Sequence, residues 1–566
     1  MIKKLCLPLV VALVAVLTSC GSKMGELSSE YITTTPQVLE AIGGKVPVTI
    51  NGKFPEKFFN KKAVLTVTPV LKWEGGQAVG DPATFQGEKV EGNNQVIAYK
   101  TGDNFTMKTS FDYVPQMAKS ELYLQFVAKV GKKEVEVPEI KIADGVLSTS
   151  ELVSSTLKSA NPSNAQDAYQ RIIKEAKEAQ IMFLIQQANV RASELKSEGI
   201  TAFNEQMKTV DAAENLKLTN IEVTAYASPD GELGLNEKLA GNRETNAAKY
   251  VQKQLKKAKI EGNVDTKYTA EDWDGFKSLV EKSNIQDKDV ILRVLSMYSD
   301  PERREAEIKN ISSVYSTLAD EILPQLRRAR LTLNYEVIGR SDDEILSTYA
   351  ATPKELSVEE LLYAATLVSA DADKEDIYKK TVQLFPNDYR AYNNLAELAY
   401  KKNDLAAAAS FLKKAAAIAP NAAEVNTNLG LVALAQGQKE QAQTYLAKGS
   451  GSEVLGEAMG NLQIAQGQYA QAVKSFGEAK TNSAALAQIL SQDYNKAKST
   501  LQSVANPDGY TDYLMAVIGA RTDNSSLVIS SLAKAVKKDS SLAEKALTDL
   551  EFTKYLTNSE FLNILK

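Results

Sequence analysis

Residues 386 to 421 read PNDYRAYNNLAELAYKKNDLAAAASFLKKAAAIAPN, and this stretch decides the architecture of the carboxy-terminal part of the chain. The pair Pro386-Asn387 returns as Pro420-Asn421, at a spacing of 420 minus 386, or 34 residues. The residues between the two pairs are rich in Ala and Leu, which are strong helix formers. A fixed period of this length, filled with helix formers, predicts a helical solenoid built from repeated units.

The residues within one period resemble the tetratricopeptide repeat. Six of them occupy positions of that repeat's pattern, namely Tyr392, Leu395, Ala408, Leu412, Ala415 and Pro420. One period later, four residues repeat the pattern, namely Leu429, Gly430, Ala442 and Leu446. The resemblance implies pairs of antiparallel helices, which approach closely at the small Ala residues. We expect the solenoid over residues 341–566, with weaker units near 463–479 (Ala472 and Phe476) and 493–501, and with residues 541–566 as its cap.

The resemblance also implies a function for the solenoid. Tetratricopeptide surfaces commonly hold a peptide or a partner helix on their concave side. We therefore expect this region to recruit other proteins. A purely structural spacer is the alternative interpretation.

Upstream, the pattern changes to alternating strands and helices. A helical period covers 151 to about 178, a buried strand is predicted at 181–185, a helix at 198–210, a strand at 221–227 and a helix at 236–256. A last strand is predicted at 326–335, after a helical insertion over about 270–323. This order predicts an α/β domain over residues 151–340.

Three short stretches in this domain resemble the OmpA-like domain found in envelope proteins of Bacteroidetes. They are Gln186 to Arg191, the turn from Ala225 to Gly231, and the helix start from Asn236 through Leu239 and Ala240 to Arg243. In that family a loop Asp and a helix Arg bind the diaminopimelate of peptidoglycan. Arg243 falls on the Arg position, whereas Ser228 replaces the loop Asp and Asp230 follows two residues later.

The resemblance therefore leaves two interpretations of the loop. In one, Arg243 binds a ligand carboxylate while Asp230 replaces the missing Asp, with Ser228 and Asn236 beside them, and the domain binds peptidoglycan. In the other, Arg243 pairs with Asp230, stabilises the loop and binds nothing. Ser cannot form the charge-assisted pair with an ammonium group that a carboxylate forms.

Short alternating runs dominate the region from Val46 to Ile142, for example Val46 to Ile50 and Leu122 to Val127. Turn residues such as Asn51-Gly52 separate them. Alternation of this kind indicates strands with one buried face. We expect a β-sandwich, immunoglobulin-like in type, over residues 36–150.

The first twenty residues have the features of a secretory signal. Lys3 and Lys4 precede an apolar run from Leu5 to Leu17, which is too short to span a bilayer. The exit Leu17-Thr18-Ser19-Cys20 resembles the lipobox of bacterial lipoproteins, which implies acylation of Cys20. Several acyl chains at one residue would anchor the protein stably in the outer membrane, through a tether at 21–35. The sequence leaves open whether the protein faces the periplasm or the cell surface.

Composition excludes several functional classes. The chain contains no His, which removes imidazole-based catalysis and imidazole metal sites. A formal net charge of -5, with 24% charged residues, gives no basic surface of the kind that binds nucleic acid. We expect no cofactor, no resident metal and no enzymatic activity. A hydrolase that uses carboxylates remains conceivable, but no motif supports it.

Two charged clusters have alternative interpretations. Glu271, Asp272 and Asp274 beside Trp273 could form a carboxylate site for a hard cation, but acidic residues at the start of a helix explain them more simply. Arg327, Arg328 and Arg330 at the start of the last strand are expected on a solvated face, with an anionic partner as the alternative.

The sequence thus predicts a multidomain, non-catalytic lipoprotein. Its principal predicted function is that of a scaffold or accessory subunit in a complex of envelope proteins. The alternative is a tether between the outer membrane and the cell wall, supported by Arg243 and opposed by Ser228.

Overall fold

A computed structural model describes residues 23–285, 287–310 and 312–566. The chain divides into two compact units. The first, the sandwich–solenoid unit, combines the chain up to Asp167 with Val368–Lys566. The second, the α/β unit, is Ala168–Leu367 and is inserted between the two parts of the first. The boundaries predicted at 150 and 340 therefore differ from the edges of the compact units.

The amino-terminal part of the sandwich–solenoid unit is rich in sheet. Its strands are β1 Ile32–Thr35, β2 Leu39–Glu40, β3 Lys45–Phe54, β4 Ala63–Trp73, β5 Gly76–Val79, β6 Ala83–Gly87, β7 Gln95–Ile97, β8 Asp103–Asp112, β9 Ser120–Val130, β10 Lys133–Val135, β11 Ile140–Asp144 and β12 Val146–Leu147. Strands β1, β3 and β8 form one sheet, and a seven-stranded sheet centres on β4 and β9. Buried residues of both sheets share one core, so the two sheets pack as a sandwich.

The alternation predicted for this region is confirmed by the burial of β8. Phe105, Met107, Thr109 and Phe111 are buried, and the residues that alternate with them, Thr106, Lys108 and Ser110, are exposed. The tether predicted over 21–35 is wrong from Gly25 onward, because Gly25 donates to the carbonyl of Phe58 and Ile32 is buried in β1. Pairing of β1 with β3 extends the sheet into a stretch whose small, polar composition suggested a loop.

The α/β unit contains a four-stranded sheet in the order β13-β16-β14-β15. Its elements are β13 Ile172–Met182, α2 Glu198–Ala212, β14 Leu216–Tyr226, α3 Leu233–Ala258, β15 Val264–Thr269, α4 Trp273–Lys282, α5 Lys288–Met297, α6 Pro301–Asn310, α7 Ser312–Thr317, α8 Leu323–Leu326, β16 Arg328–Ile338, α9 Asp342–Ala351 and α10 Val358–Leu367; a short helix, α1 Val153–Thr156, precedes them in the first unit. Helices α2 and α3 cover one face of the sheet. Helices α4 to α8 have their own apolar core and are the predicted insertion.

The helical period predicted from 151 to about 178 is confirmed only as far as Ser159, where helix α1 and the turns beside it end, and is wrong beyond that residue. Strand β13 begins at Ile172, so most of the strand predicted at 181–185 lies beyond its end. Its Lys, Glu and Ala residues are good helix formers, and most of the strand is exposed. Antiparallel pairing along the whole length of β16 overrides that local preference.

The carboxy-terminal part of the first unit is all helical. Its helices are α11 Asp371–Leu384, α12 Tyr389–Lys401, α13 Leu405–Ile418, α14 Ala423–Ala435, α15 Lys439–Leu446, α16 Leu455–Ala465, α17 Tyr469–Phe476, α18 Asn482–Leu490, α19 Tyr494–Gln502, α20 Gly509–Arg521, α21 Ser525–Lys538, α22 Ser541–Thr548 and α23 Ser559–Ile564. From α12 to α21 they form antiparallel pairs, and the first helix of each pair contacts the first helix of the next. Ala408, Ala442 and Ala472 are fully buried at the close approach within a pair, as predicted. The cap predicted at 541–566 is confirmed by Phe552 and Phe561, which are buried against the last pair.

Among the described residues, none of the helices has both the length and the apolar character required to cross a membrane.

Candidate functional site

Residues 148–167 cross the row formed by the first helices of the solenoid pairs. We call this segment the strap. It begins directly after β12, continues through a 3-10 turn at Thr149–Leu152, helix α1 and a second turn at Leu157–Ser159, and is extended from Ala160 onward. The strap contacts α14, α16 and α18, so a segment of the same chain occupies this face of the solenoid.

Two Asn side chains hold the extended half of the strap by its backbone. The amide of Asn394 on α12 accepts from the N–H of Ala165 at 2.8 Å and donates to its carbonyl at 2.9 Å. The amide of Asn428 on α14 does the same for Ser163, at 2.7 and 2.8 Å. Alternate residues of an extended chain point the same way, which is why neighbouring helices bind residues two apart.

Further bonds tie these side chains into one network. Asn393 donates to the carbonyl of Ser163 at 2.9 Å and accepts from the amide of Asn428 at 3.0 Å. Both Asn393 and Asn394 are buried, and so is Asn428. Buried amides are stable only when their donors and acceptors are paired, so the network requires an extended backbone in the groove.

Side chains of the strap are also bound. Glu397 is buried and accepts from the amide of Asn164 at 2.6 Å, while Lys401 pairs with the same carboxylate at 2.7 Å. Ser452 donates to the hydroxyl of Ser163 at 2.9 Å. These contacts select a hydrogen-bond donor at position 164 and a small polar residue at 163.

Asn461 on α16 occupies the next equivalent position. It lies 461 minus 428, or 33 residues, after Asn428 and is 1% exposed. Its amide donates to the carbonyl of Glu457 in its own helix, and its Oδ1 has no hydrogen-bond partner within the part of the chain that the structure describes. Asn394, Asn428 and Asn461 form what we call the amide ladder, and the strap uses two of its three members.

The helical half of the strap is fixed differently. Leu152 and Leu157 are buried in the apolar cores of the solenoid, and Tyr400 donates to the carbonyl of Leu157 at 2.8 Å. Burial raises the pKa of Tyr400, which keeps its hydroxyl protonated as a donor. At the far end, Arg521 binds Glu551 at 2.6 Å, and Thr149 donates to the same carboxylate.

Sequence reasoning missed the strap and its groove, although one signal was present. Asn394 and Asn428 stand 428 minus 394, or 34 residues, apart, which is the repeat period itself. Polar residues that recur at the period of a solenoid lie on one of its faces. The partners of these residues lie more than 200 positions earlier in the chain, where local pattern carries no information about them.

The predicted ligand-binding residues lie in the α/β unit, where the structure gives Arg243 a different environment. Its side chain is fully buried. Its guanidinium donates to the carbonyl of Gln187 at 2.9 Å, of Tyr226 at 2.8 Å and of Leu184 at 3.2 Å. Burial, with Arg327 nearby, lowers the pKa of Arg243 to about 10, and Asp230 partly opposes this.

Asp230 pairs with Arg327 at 3.1 Å and accepts from the hydroxyl of Ser228, so its direct partner is not Arg243. Asn236 donates to the carbonyls of Ser228 and Gly231 at 3.2 and 3.0 Å and closes the turn. The four predicted residues therefore do lie at one end of the sheet. All four are engaged in holding the loop together.

The insertion packs against this loop. Trp273, Phe276 and Ile308 line a small apolar cleft together with Pro229 and Asp230. The loop is thus partly covered by protein on the side of the insertion.

The acidic cluster starts a helix, as the simpler interpretation predicted. Asp272 caps α4 by accepting from the N–H of Gly275 at 2.9 Å and pairs with Arg328 at 2.8 Å. Glu271 accepts from the indole of Trp273 at 2.9 Å. No group of three His, Cys, Asp or Glu residues that could hold a metal ion occurs within the described ranges.

The solvated face predicted for the arginines is wrong. The side chains of Arg327 and Arg328 are only 11% and 14% exposed, because Asp230 and Asp272 pair with them. Arg328 and Arg330 also lie over the ring of Tyr226. Sequence pattern placed two of them on one face of the strand but gave no sign of the loop carboxylates that cover them.

Cys20, the predicted lipidation site, lies outside the described residues.

The comparison with known families agrees with the helical pairs. The tetratricopeptide repeat family matches residues 375–423, which include Asn394 of the amide ladder. The carboxy-terminal helical region therefore carries tetratricopeptide repeats. No curated protein matches the chain.

Solved structures with helical repeats overlap parts of the chain. A tetratricopeptide repeat protein from Parabacteroides merdae is 13% identical over 38% of this chain and 91% of its own, with a TM-score of 0.29. PilF from Pseudomonas aeruginosa is 16% identical over 38% of this chain and 99% of its own, with a TM-score of 0.28.

Proposed function

We propose that this protein is a non-catalytic scaffold of the bacterial cell envelope, anchored in the outer membrane through acylated Cys20, whose tetratricopeptide solenoid binds other proteins. The observation that carries the binding role is the amide ladder, in which Asn394 and Asn428 hold a polypeptide backbone by both its donor and its acceptor. The repeat match over residues 375–423 supports the same role.

Sequence features support the envelope location and the lack of catalysis. The apolar run that ends at Leu17-Thr18-Ser19-Cys20 has the form of a lipoprotein signal. The absence of His from the whole sequence removes the commonest general base at neutral pH.

The α/β unit is proposed to be OmpA-like and the sandwich immunoglobulin-like. For the α/β unit, the order of strand, helix, strand, helix, strand, insertion and strand supports the assignment. The cell-wall tether gains no support from Arg243, because three backbone carbonyls already accept from its guanidinium. We therefore favour a protein contact for this unit.

Purification of the full-length, acylated protein from gently solubilised membranes of its host tests the scaffold. We expect mass spectrometry to find an envelope protein in a fixed ratio to it. Recovery with cell-wall fragments and no protein would contradict the scaffold and restore the tether. A Cys20→Ser variant should move from the membrane fraction to the soluble fraction, and a Cys6→Ser variant is the matched control, since Cys6 lies within the predicted signal.

A further inference from the structure

We propose that the groove over the amide ladder is an exchangeable receptor for an extended segment of a partner protein, and that residues 161–166 of the strap occupy it until such a segment displaces them. The inference deepens the proposed scaffold function and rests on it. Four features of the strap and its groove carry the argument.

The two halves of the strap are held by different forces. The helical half is anchored by the burial of Leu152 and Leu157 in apolar cores. In the extended half, side-chain amides bind the backbone of Ser163 and Ala165, and the side chains buried there, of Pro162, Ser163 and Ala165, are small. Hydrogen bonds to backbone can be remade with another chain, whereas loss of apolar burial is not recovered in water. The extended half can therefore leave while the helical half stays in place.

The groove accepts any chain that meets a simple pattern. Paired amides contact only N–H and C=O, which every residue except Pro offers. Ser163 and Ala165 are buried, so the groove requires small residues at these two positions. Asn164 lies between them and donates to Glu397. The fitting partner segment is therefore extended, has small residues two apart, and carries a donor such as Asn or Lys between them.

The third member of the ladder favours such a segment over the strap. Neighbouring ladder residues bind positions two apart, so Asn461 is in register with residue 161. Residue 161 is extended but lies only two residues after the turn at Leu157–Ser159, and the Oδ1 of Asn461 stays without a partner among the described residues. A partner segment that is extended on both sides of this position, with no turn to constrain it, would bind all three amides.

The strap has one advantage, which is its covalent attachment. A tethered segment competes at an effective concentration of about 1 mM when its linker is short and flexible. A partner held near the same membrane can match that concentration, and the additional contact with Asn461 shifts the exchange in its favour.

A peptide-binding experiment on the full chain tests the exchange. The probe is a fluorescent peptide with the sequence of residues 157–168, LKSANPSNAQDA. Ala165→Trp should empty the groove, because Ala165 is 2% exposed and the indole does not fit. Gln166→Trp is the matched control, since Gln166 is exposed. We expect Ala165→Trp to bind the peptide at least about tenfold more tightly than the control and the wild type.

Groove variants locate the binding. Adding Asn394→Ala and Asn428→Ala to Ala165→Trp should abolish peptide binding. Asn461→Ala in the same background should weaken binding about fivefold, as expected for one lost hydrogen bond, although the strap itself does not use this amide. The proposal would be overturned if hydrogen exchange showed that the strap of Ala165→Trp has left the groove and the variant still bound the peptide with the same affinity as the wild type.

Hydrogen exchange on the wild type is the second measurement, and it does not depend on the folding of any variant. The amides of Ser163 and Ala165 should exchange at least about tenfold faster than the core of α14, through local opening. Equal rates would identify the strap as a permanent part of the core and refute exchange. If an envelope protein still co-purifies in that case, the scaffold stands and only the exchangeable groove fails.

Discussion

Arg243 is a charged side chain whose hydrogen bonds are made to the backbone of its own unit. Arg243→Ala leaves the carbonyls of Gln187, Tyr226 and Leu184 without a donor. We expect the free energy of unfolding of the α/β unit to fall by about 3 kcal/mol or more. Trp73 and Trp273 are the two Trp residues of the chain, so a Trp73→Phe background lets Trp273 fluorescence report this unit alone in urea.

Lys249→Ala is the matched control for Arg243→Ala, because Lys249 is exposed on the same helix. A loss of stability similar in both variants would contradict a structural role for Arg243. The result also bears on the cell-wall tether, since loss of sacculus binding in an unfolded Arg243→Ala variant would say nothing about ligand contacts.

Asp549, in the solenoid cap, links stability to pH. Burial raises its pKa above 3.8, and the hydroxyl of Tyr513, which donates at 2.7 Å, and the backbone N–H of Glu551 oppose this, while the charge of Glu551 adds to it. A raised pKa means that the folded state holds the proton more tightly. The stabilisation is therefore complete below about pH 3.8 and is lost as pH rises through the pKa of the folded state.

Asp549→Asn should remove this contribution while keeping an acceptor for Tyr513. Hydrogen exchange of residues 541–566 measures the local stability at several pH values. We expect the stability of wild type relative to Asp549→Asn to fall as pH rises from about 4. Glu560→Gln, an exposed carboxylate in the same cap, is the control; a difference between wild type and Asp549→Asn that is constant with pH would refute the linkage.

At the scale of elements, glycines report how closely helices approach. A Cβ on Gly430 of α14 would collide with the side chain of Leu446 of α15, whereas a Cβ on Gly199 of α2 would meet open space. Gly430→Ala should lower the free energy of unfolding of the sandwich–solenoid unit by about 1 to 3 kcal/mol through overpacking. Gly199→Ala should instead raise that of the α/β unit by about 0.5 to 1 kcal/mol.

Thermal unfolding followed separately by Trp73 and Trp273 fluorescence checks both glycine predictions. Leu446→Ala should partly rescue Gly430→Ala by making room for the methyl group. No change on Gly430→Ala would mean that the two helices separate easily, against the close approach described here.

Sequence predicted these elements unequally. The helix pairs were predictable because Ala408 and Ala442 recur at the repeat period and their burial is local to a pair. The sandwich was predictable because alternation places Phe105, Met107 and Phe111 on one face. Strand β13 was missed because Lys174 to Ala179 favours a helix on its own, and only pairing with β16 makes it a strand.

The candidate sites show the same distinction. The sequence predicted that one loop brings together Ser228, Asp230, Asn236 and Arg243. It gave no sign that Arg327 pairs with Asp230. It placed the solenoid but missed the strap, whose bonds to Asn394 and Asn428 join residues 229 and 265 positions apart. Contacts at such separations depend on the assembled fold, and they leave no periodic signal in the sequence of the strap.

At the scale of the whole molecule, the sandwich and the solenoid belong to one compact unit despite the insertion between them. Protease sites placed after Asp167 and before Val368 would cut the folded chain into three fragments. We expect the sandwich fragment, with its strap, to co-elute with residues 368–566, because Thr149 and Glu551, Ser163 and Asn428, and Tyr400 and Leu157 still join them.

Cleaved protein that carries Asn394→Ala and Asn428→Ala is the control and should separate more readily in mild urea. Elution of the sandwich fragment alone in native buffer would contradict a single sandwich–solenoid unit. The same experiment separates a strap that merely lies on the groove from one that binds it.

Because the α/β unit is inserted between the strap and the solenoid in the sequence, the strap is synthesised well before the groove that binds it. Ala165 is made 229 residues before Asn394, its partner on the solenoid. At roughly 5 to 20 residues per second, the strap waits about 10 to 45 s for its groove to be synthesised. During that interval its donors and acceptors are open to water and to any chaperone that binds the growing chain. The strap of the newly made sandwich therefore either binds a chaperone or stays hydrated until its groove in the solenoid has been synthesised.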